Sequence, residues 1–194
     1  MIYRTIKRLF DFCGALMGLI ILSPLFLIIA FLIKLSSPGP VFFKQERYGR
    51  NGKIFKLWKF RTMKLGSEKL PYSVEQLREF EASGKDPRLN KITRFLRKYA
   101  LDEIPQLINI LKGEMSFVGP RAYFLARIEG DEKLKQRLKI KPGLTCLAAI
   151  KGGVKLSEEE LLNSDLEYIN NQNFFLDIKI LLKSIFLLIS GRGF

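Results

Sequence analysis

The 194-residue sequence contains no histidine. Imidazole acid–base catalysis, a Ser-His-Asp triad and His-ligated zinc are therefore closed to it, and any general base must be of another kind. Cysteine is nearly absent: Cys13 lies in an apolar run and Cys146 stands far from it. Two such distant thiols make neither a metal cluster nor a disulfide scaffold, and they fit a reducing compartment. Acidic residues are scarce too, 19 Asp and Glu against 33 Lys and Arg, which leaves a formal charge of +14. Such a field suits an anionic partner, whether membrane surface, nucleotide, phosphorylated lipid or nucleic acid, without choosing among them. No Walker loop, dinucleotide fingerprint, zinc spacing, internal repeat or low-complexity tract is present. What remains, 47% apolar and 27% charged residues, excludes a disordered or fibrous chain and fits one ordinary domain.

From Phe12 to Ile33 no side chain is charged. As a helix rising about 1.5 Å per residue, that run would just cover a hydrocarbon core of about 30 Å. It is too long for the apolar region of a cleaved signal peptide and reads as a segment that stays attached. Ser23-Pro24 falls at its midpoint, and proline removes a donor and clashes with the carbonyl four residues earlier, so the helix kinks or breaks there. Arg4, Lys7 and Arg8 precede the run, and Lys34, Lys44, Arg47 and Arg50 follow it, which draws both ends to the cytoplasm. A re-entrant helical hairpin satisfies both features; a single kinked spanning helix is the other arrangement. Phe174 to Ile189 carries Asp177, Lys179 and Lys183 and reads as a helix that lies on the interface or closes the core.

Ser36-Ser37-Pro38-Gly39-Pro40 sets a boundary near residue 38, giving a membrane part over 1–38 and a second part over 39–194. Val41 to Lys44 and Lys53 to Met63 are aromatic-rich runs joined through Arg50-Asn51-Gly52, the pattern of a β-hairpin. Gly66 to Asp86 reads as a polar surface excursion with a helical patch over Val74 to Ala82. Helices are expected over Arg88 to Lys98, Asp102 to Leu111 and Glu158 to Tyr168, and loops over much of Gly113 to Leu156. The fold class expected is mixed α/β and helix-rich, with amphipathic surface helices.

Asp102-Glu103 opens an apolar helix with Pro105 in its first turn, where the helix dipole keeps carboxylates ionised. Capping alone accounts for such a pair. Its neighbourhood adds more: Arg88, Lys91, Arg94 and Arg97 recur every three residues, and Lys85 to Lys98 holds six basic residues against one acid. So much repulsion calls for an anion. A carboxylate ringed by cations can hold a divalent ion that bridges phosphate oxygens, or it can attack phosphorus and form an acyl phosphate. Lys59 and Arg61 after the hairpin, Arg121 and Lys141 supply further donors.

These residues resemble the small monotopic phosphoglycosyl transferases, the bacterial sugar transferase family that initiates lipid-linked glycan assembly. The shared strings are Ser23-Pro24, Lys59-Phe60-Arg61-Thr62-Met63, Leu101-Asp102-Glu103-Ile104-Pro105-Gln106-Leu107, Gly113 to Arg121 and Pro142-Gly143-Leu144-Thr145. The resemblance implies a monotopic protein with a re-entrant helix broken at Ser23-Pro24, and a catalytic domain at the cytoplasmic face of the bacterial inner membrane. It implies a Mg2+-dependent reaction of a nucleotide-diphosphate sugar, expected to be UDP-linked, with polyprenyl (undecaprenyl) phosphate, releasing nucleoside monophosphate (UMP). Asp102 would be the nucleophile that carries the phosphosugar and Glu103 the magnesium ligand. Lys59, Arg97 and Arg121 match positions that bind substrate phosphates, with Thr145 also on the substrate side. Arg61, Arg88 and Lys141 join them by charge and position.

After Thr145 the family commonly continues Gly-Trp-Ala-Gln-Val-Asn-Gly-Arg, where this chain has Cys146 to Gly153, and Ala122 replaces the usual proline. Sugar specificity does not transfer across that departure. The sequence leaves the sugar, the pathway and the oligomeric state open, a membrane-sitting homodimer included. Two other readings compete: a membrane-tethered nucleic-acid binder, which needs no Asp102, and a noncatalytic basic scaffold. The transferase reading takes membrane lipids and no nucleic acid as partners.

Overall fold

The computed structural model describes residues 2–64, 85–122 and 132–190 without interruption, and between 65 and 84 residues 66, 67, 72, 73, 76, 79, 80 and 83. The helical patch expected over Val74 to Ala82 falls largely outside the described residues.

The apolar N-terminus forms two helices, α1 (Ile2–Ile21) and α2 (Ser23–Ser36), bent by 62° at the link between them. Pro24 offers no N–H to the Ile20 carbonyl. The Ser23 hydroxyl takes that place, donating to Ile20 O at 2.8 Å. Backbone bonds from Leu22 N to Gly18 O and from Phe26 N to Leu22 O continue on either side, so the chain turns without a loop. The arms make an open elbow rather than an antiparallel hairpin, because one linking residue has no length to reverse the chain. No single described helix is long and apolar enough to cross a membrane, whereas the bent pair together meets that criterion.

One face of α1 carries Asp11, Gly14, Ala15 and Gly18 at helical spacing. A Cβ on Gly14 would sit 2.8 Å from Phe117 Cε2, and one on Gly18 3.1 Å from Leu107 Cδ1, so the two glycines let the helix lie close against the rest of the molecule. Buried Asp11 accepts from Ser116 Oγ and Phe117 N, both at 3.0 Å. The opposite face leaves Leu9, Leu16, Met17 and Ile20 exposed.

Strands β1 (Phe42–Tyr48) and β2 (Ile54–Phe60) pair antiparallel, Phe42 facing Phe60 and Tyr48 facing Ile54. Asn51 and Gly52 take positive φ of 58° and 74°, the conformation that makes Asn-Gly a hairpin signal. Helix α3 (Lys91–Lys98) starts later than Arg88 because Asn90 and Thr93 form a capping box. Helix α4 (Gln106–Lys112) follows and ends at Gly113. The loops expected beyond it contain two parallel strands, β3 (Ser116–Val118) and β4 (Gly143–Thr145). Three residues each are too few to show alternation in a sequence. A Cβ on Gly119 or Gly143 would collide with the backbone opposite, so this crossing needs glycine on both sides.

Between these strands stands α5 (Glu132–Gln136), and beyond them α6 (Leu147–Lys151), α7 (Glu158–Asn171), capped by Ser157 and Glu160, and α8 (Phe174–Ile189). Helix α7 runs past the Tyr168 boundary expected for it, while α8 has the expected limits. The molecule is thus mixed α/β and helix-rich. Among the described residues its apolar interior divides into three clusters: Ala15, Leu57 and Ile110; Ile33, Phe60 and Leu96; and Val118, Leu147, Tyr168 and Ile180, each with neighbours. Asp177 locks α8 to the helix at the other end of the chain, accepting from Tyr3 Oη at 2.8 Å, Lys7 Nζ at 2.7 Å and Tyr168 Oη at 2.5 Å.

Candidate active site

Asp102 and Glu103 sit in a short 3-10 turn, Leu101–Glu103, between α3 and α4. Ala100 makes the corner by adopting the left-handed conformation, φ 48° and ψ 26°, which costs a non-glycine residue about 1 kcal/mol. Leu101 and Ile104 flank the pair and pack into the apolar clusters, so the turn cannot rotate freely.

The sequence placed both carboxylates in a helical first turn, held ionised by the dipole. The helix proper begins only at Gln106, and Asp102 is 5% exposed. Burial pushes its carboxyl up to about 6; the Lys59 charge opposes this, and the Glu103 charge adds to it. Lost hydration outweighs what a helix end supplies. Glu103 goes the other way. Burial raises it, but the charge and hydrogen bond of Lys59, the charge of Arg121 and a Gln106 hydrogen bond hold it below the usual carboxylate range.

Lys59 Nζ donates to Glu103 Oε1 at 2.5 Å. Strand alternation brings it there: Phe55, Leu57 and Lys59 share one face of β2, and the first two are buried in the core. The strand itself is stapled to α4 by Asn109, which is 0% exposed. Its carboxamide accepts from Trp58 N at 3.0 Å and donates to Lys56 O at 2.8 Å and to Glu114 Oε2 at 2.7 Å. Asn109 thus bonds the outer edge of β2 as another strand would. The sequence reading missed it, although an amide inside an apolar helix was the available signal.

Arg97 acts on Asp102 and Arg121 on Glu103, so Lys59, Arg97 and Arg121 converge on the pair. Arg88 turns elsewhere. Its Nε and Nη2 donate to the two oxygens of Asp86 at 2.9 and 2.6 Å, and Arg97 Nη1 reaches the same carboxylate at 3.4 Å. Burial raises the Asp86 carboxyl, but the hydrogen bonds and charge of Arg88, with the Arg97 charge, bring it below the ordinary range. The carboxylate of the single acid in the basic run therefore engages two of its arginines, while Arg94 Nη2 donates to the Asp86 carbonyl at 3.5 Å; Lys91 and Arg94 are otherwise exposed.

Three other expected substrate residues lie apart from the pair. Buried Arg61 donates to Pro38 O at 2.7 Å and Ser37 O at 2.8 Å, closing the end of α2. Its guanidinium serves backbone carbonyls because the α2 terminus leaves them without helical partners. Thr145 Oγ1 lies 2.7 Å from Ser184 Oγ in the buried contact between β4 and α8. Lys141 Nζ and Arg8 Nη2 are 3.4 and 3.2 Å from where a Gly113 Cβ would lie, at the end of α4 opposite to the pair. The atypical stretch begins beside Arg121: burial pushes the Cys146 thiol up, while the Arg121 and Arg137 charges act against the rise.

No group of three Asp, Glu, His or Cys side chains converges among the described residues. Mg2+ needs no such cage, since one or two carboxylates with substrate phosphates and water complete its shell. Glu103 fits that use: it is ionised, and 27% of its side chain is accessible.

The chain matches the family described as bacterial sugar transferase over residues 2–191. It is 41% identical over 192 residues to the UDP-glucose:undecaprenyl-phosphate glucose-1-phosphate transferase of Escherichia coli K12, covering 94% of this chain and 40% of that protein. Identity is 40% over 196 residues with the exopolysaccharide production protein ExoY of Rhizobium meliloti, covering 96% and 87%. With the galactosyl transferase CpsE of Streptococcus agalactiae it is 36% over 195 residues, covering 96% and 43%. The chain spans less than half the length of the first and third of these relatives and most of the second. With that match running from the elbow through the carboxylate turn to α8, the chain belongs to the bacterial sugar transferase family.

Proposed function

We propose that the chain transfers a sugar 1-phosphate from a UDP-linked sugar to undecaprenyl phosphate through a covalent intermediate on Asp102, at the cytoplasmic face of the bacterial inner membrane. The observation that carries this reading is the contrast inside one turn. A buried carboxyl raised to about 6 adjoins an ionised one, with Lys59, Arg97 and Arg121 around both. The names of the relatives support the donor and acceptor classes.

Above pH of about 6, Asp102 is a carboxylate with little water around it, suited to attack on phosphorus. An Asp102 oxygen bonds the β-phosphorus of the donor, the bond from that phosphorus to the bridging oxygen breaks, and nucleoside monophosphate leaves with the electron pair. Lys59, Arg97 and Arg121 offset charge on the transferred group. An oxygen of the lipid phosphate then attacks the same phosphorus, the acyl phosphate bond breaks, and the Asp102 carboxylate is restored with a diphosphate-linked sugar as product. Held by Glu103, Mg2+ would neutralise the donor's diphosphate oxygens. Residues 1–38 serve in this reading as a re-entrant anchor bent at Ser23-Pro24, and 39–194 as the catalytic domain.

Purified protein incubated with Mg2+ and a UDP-sugar, without acceptor, should release UMP and gain one phosphosugar on the Asp102 peptide by mass spectrometry. Asp102→Asn should lose both, and EDTA should stop turnover. Turnover retained in Asp102→Asn removes the aspartyl route.

A further inference from the structure

An aromatic ring stands uncovered beside the reacting pair. Phe43 faces Lys59 across the β1–β2 ladder, so their side chains leave one face of the sheet about 5 Å apart, and Lys59 Nζ is 2.5 Å from Glu103 Oε1. Yet Phe43 is 42% exposed and belongs to none of the apolar clusters formed by the described residues. Its neighbour behaves oppositely. Phe42 packs on Phe26, Trp58 and Phe60, with ring centroids 5.6 to 5.7 Å apart. The strand thus satisfies its need for core with one phenylalanine and holds the next one out.

The surroundings of Phe43 are ordered by polarity. Toward the chain start, Val41 packs with α2, and Arg61 fixes that junction through Ser37 O, Pro38 O and a backbone bond from Arg61 N to Val41 O at 2.8 Å. Away from it, the same face of β1 continues with Gln45 and Arg47, which bond each other at 2.7 Å. Phe43 therefore lies where the apolar α2 side gives way to charge, alongside a lysine that contacts the site carboxylate. A phosphate on a long hydrocarbon chain has the same order of polarity along its length.

Resting on the function proposed above, we infer that Phe43 contacts the hydrocarbon units next to the phosphate of the polyprenyl acceptor, with that phosphate turned toward Lys59. A rigid strand presents the ring, so little side-chain freedom is lost on binding. Contact with a nucleobase of the donor is the alternative occupant, and the two half-reactions separate them.

The test uses full-length protein in detergent, with wild type, Phe43→Ser and Phe43→Leu compared at equal thermal stability. A UDP-sugar alone reads the donor step as UMP release and adduct; undecaprenyl phosphate then reads transfer. Phe43→Ser should raise the KM for the acceptor about tenfold, the loss expected from one uncovered apolar contact, while donor KM stays within about twofold. Phe43→Leu should restore most of the acceptor KM. An unchanged acceptor KM overturns the inference, as does a raised donor KM, which assigns the ring to the nucleobase. Should the acceptor KM rise without any adduct in wild type, Phe43 keeps its role and the aspartyl route fails.

Discussion

Asp102 and Glu103 are neighbours in one turn whose carboxyls move in opposite directions, and the difference follows from which of them meets Lys59. Burial raises both carboxyls, and of the two Glu103 is the one that has the lysine's hydrogen bond. In the folded chain Asp102 sits at about 6, above the 3.8 ordinary for an aspartate, so it adds to stability while protonated and that contribution is lost as pH rises through about 6. Asp102→Asn stays neutral throughout. It should exceed wild type by about 3 kcal/mol near pH 7.5 and by less than about 1 kcal/mol near pH 4, read by chemical denaturation at both. A gap of equal size at the two pH values contradicts the burial account. Lys59→Met removes the strongest attraction from both carboxyls, so turnover should fall on the order of 100-fold and the acid limb of the pH–rate profile should move upward. The carboxylate pair was legible in the sequence because two adjacent acids directly after a basic run contrast locally. Asp86 and Asn109 were not, since their partners are fixed by geometry. Asp86 looked like one acid outnumbered, and its bidentate hold on Arg88 depends on a turn no periodicity announces.

At the level of elements, the link between α1 and α2 replaces one donor with another. Ser23→Ala alone should cost about 1 kcal/mol by leaving Ile20 O unpaired. The double variant Ser23→Ala, Pro24→Ala restores the missing N–H and lets the two arms join in one straight helix. In cells, a cysteine placed near residue 2 should then become reachable by a membrane-impermeant maleimide, while the same cysteine in the bent protein stays protected. Equal protection in both would mean that the bend does not set topology. Proline made this break readable in the sequence, and Asn-Gly did the same for the hairpin. Strands β3 and β4 escaped notice for a physical reason: they are held by each other and by a glycine crossing, with no pattern of their own.

Across the whole molecule, the first and last helices meet on one carboxylate. Lys7 and Asp177 are 170 positions apart in the chain, a separation at which no local pattern betrays a contact; the charges of that apolar run left α8 either lying on the interface or closing the core. Asp177→Ala strips three donors of their shared acceptor. Leaving them unpaired should cost about 3 kcal/mol, and α8 should become sensitive to proteolysis before the rest of the molecule unfolds. Loss of stability without earlier cleavage of α8 would show that the carboxylate supports the core generally and does not tether one helix.

The Asn109 carboxamide bears on how copies of the chain meet. A two-stranded hairpin ordinarily offers its open side to any extended segment that drifts past, the usual start of edge-to-edge aggregation. Here the Lys56 carbonyl and Trp58 amide are already occupied from within, so a strand from another molecule cannot add there without evicting a buried amide.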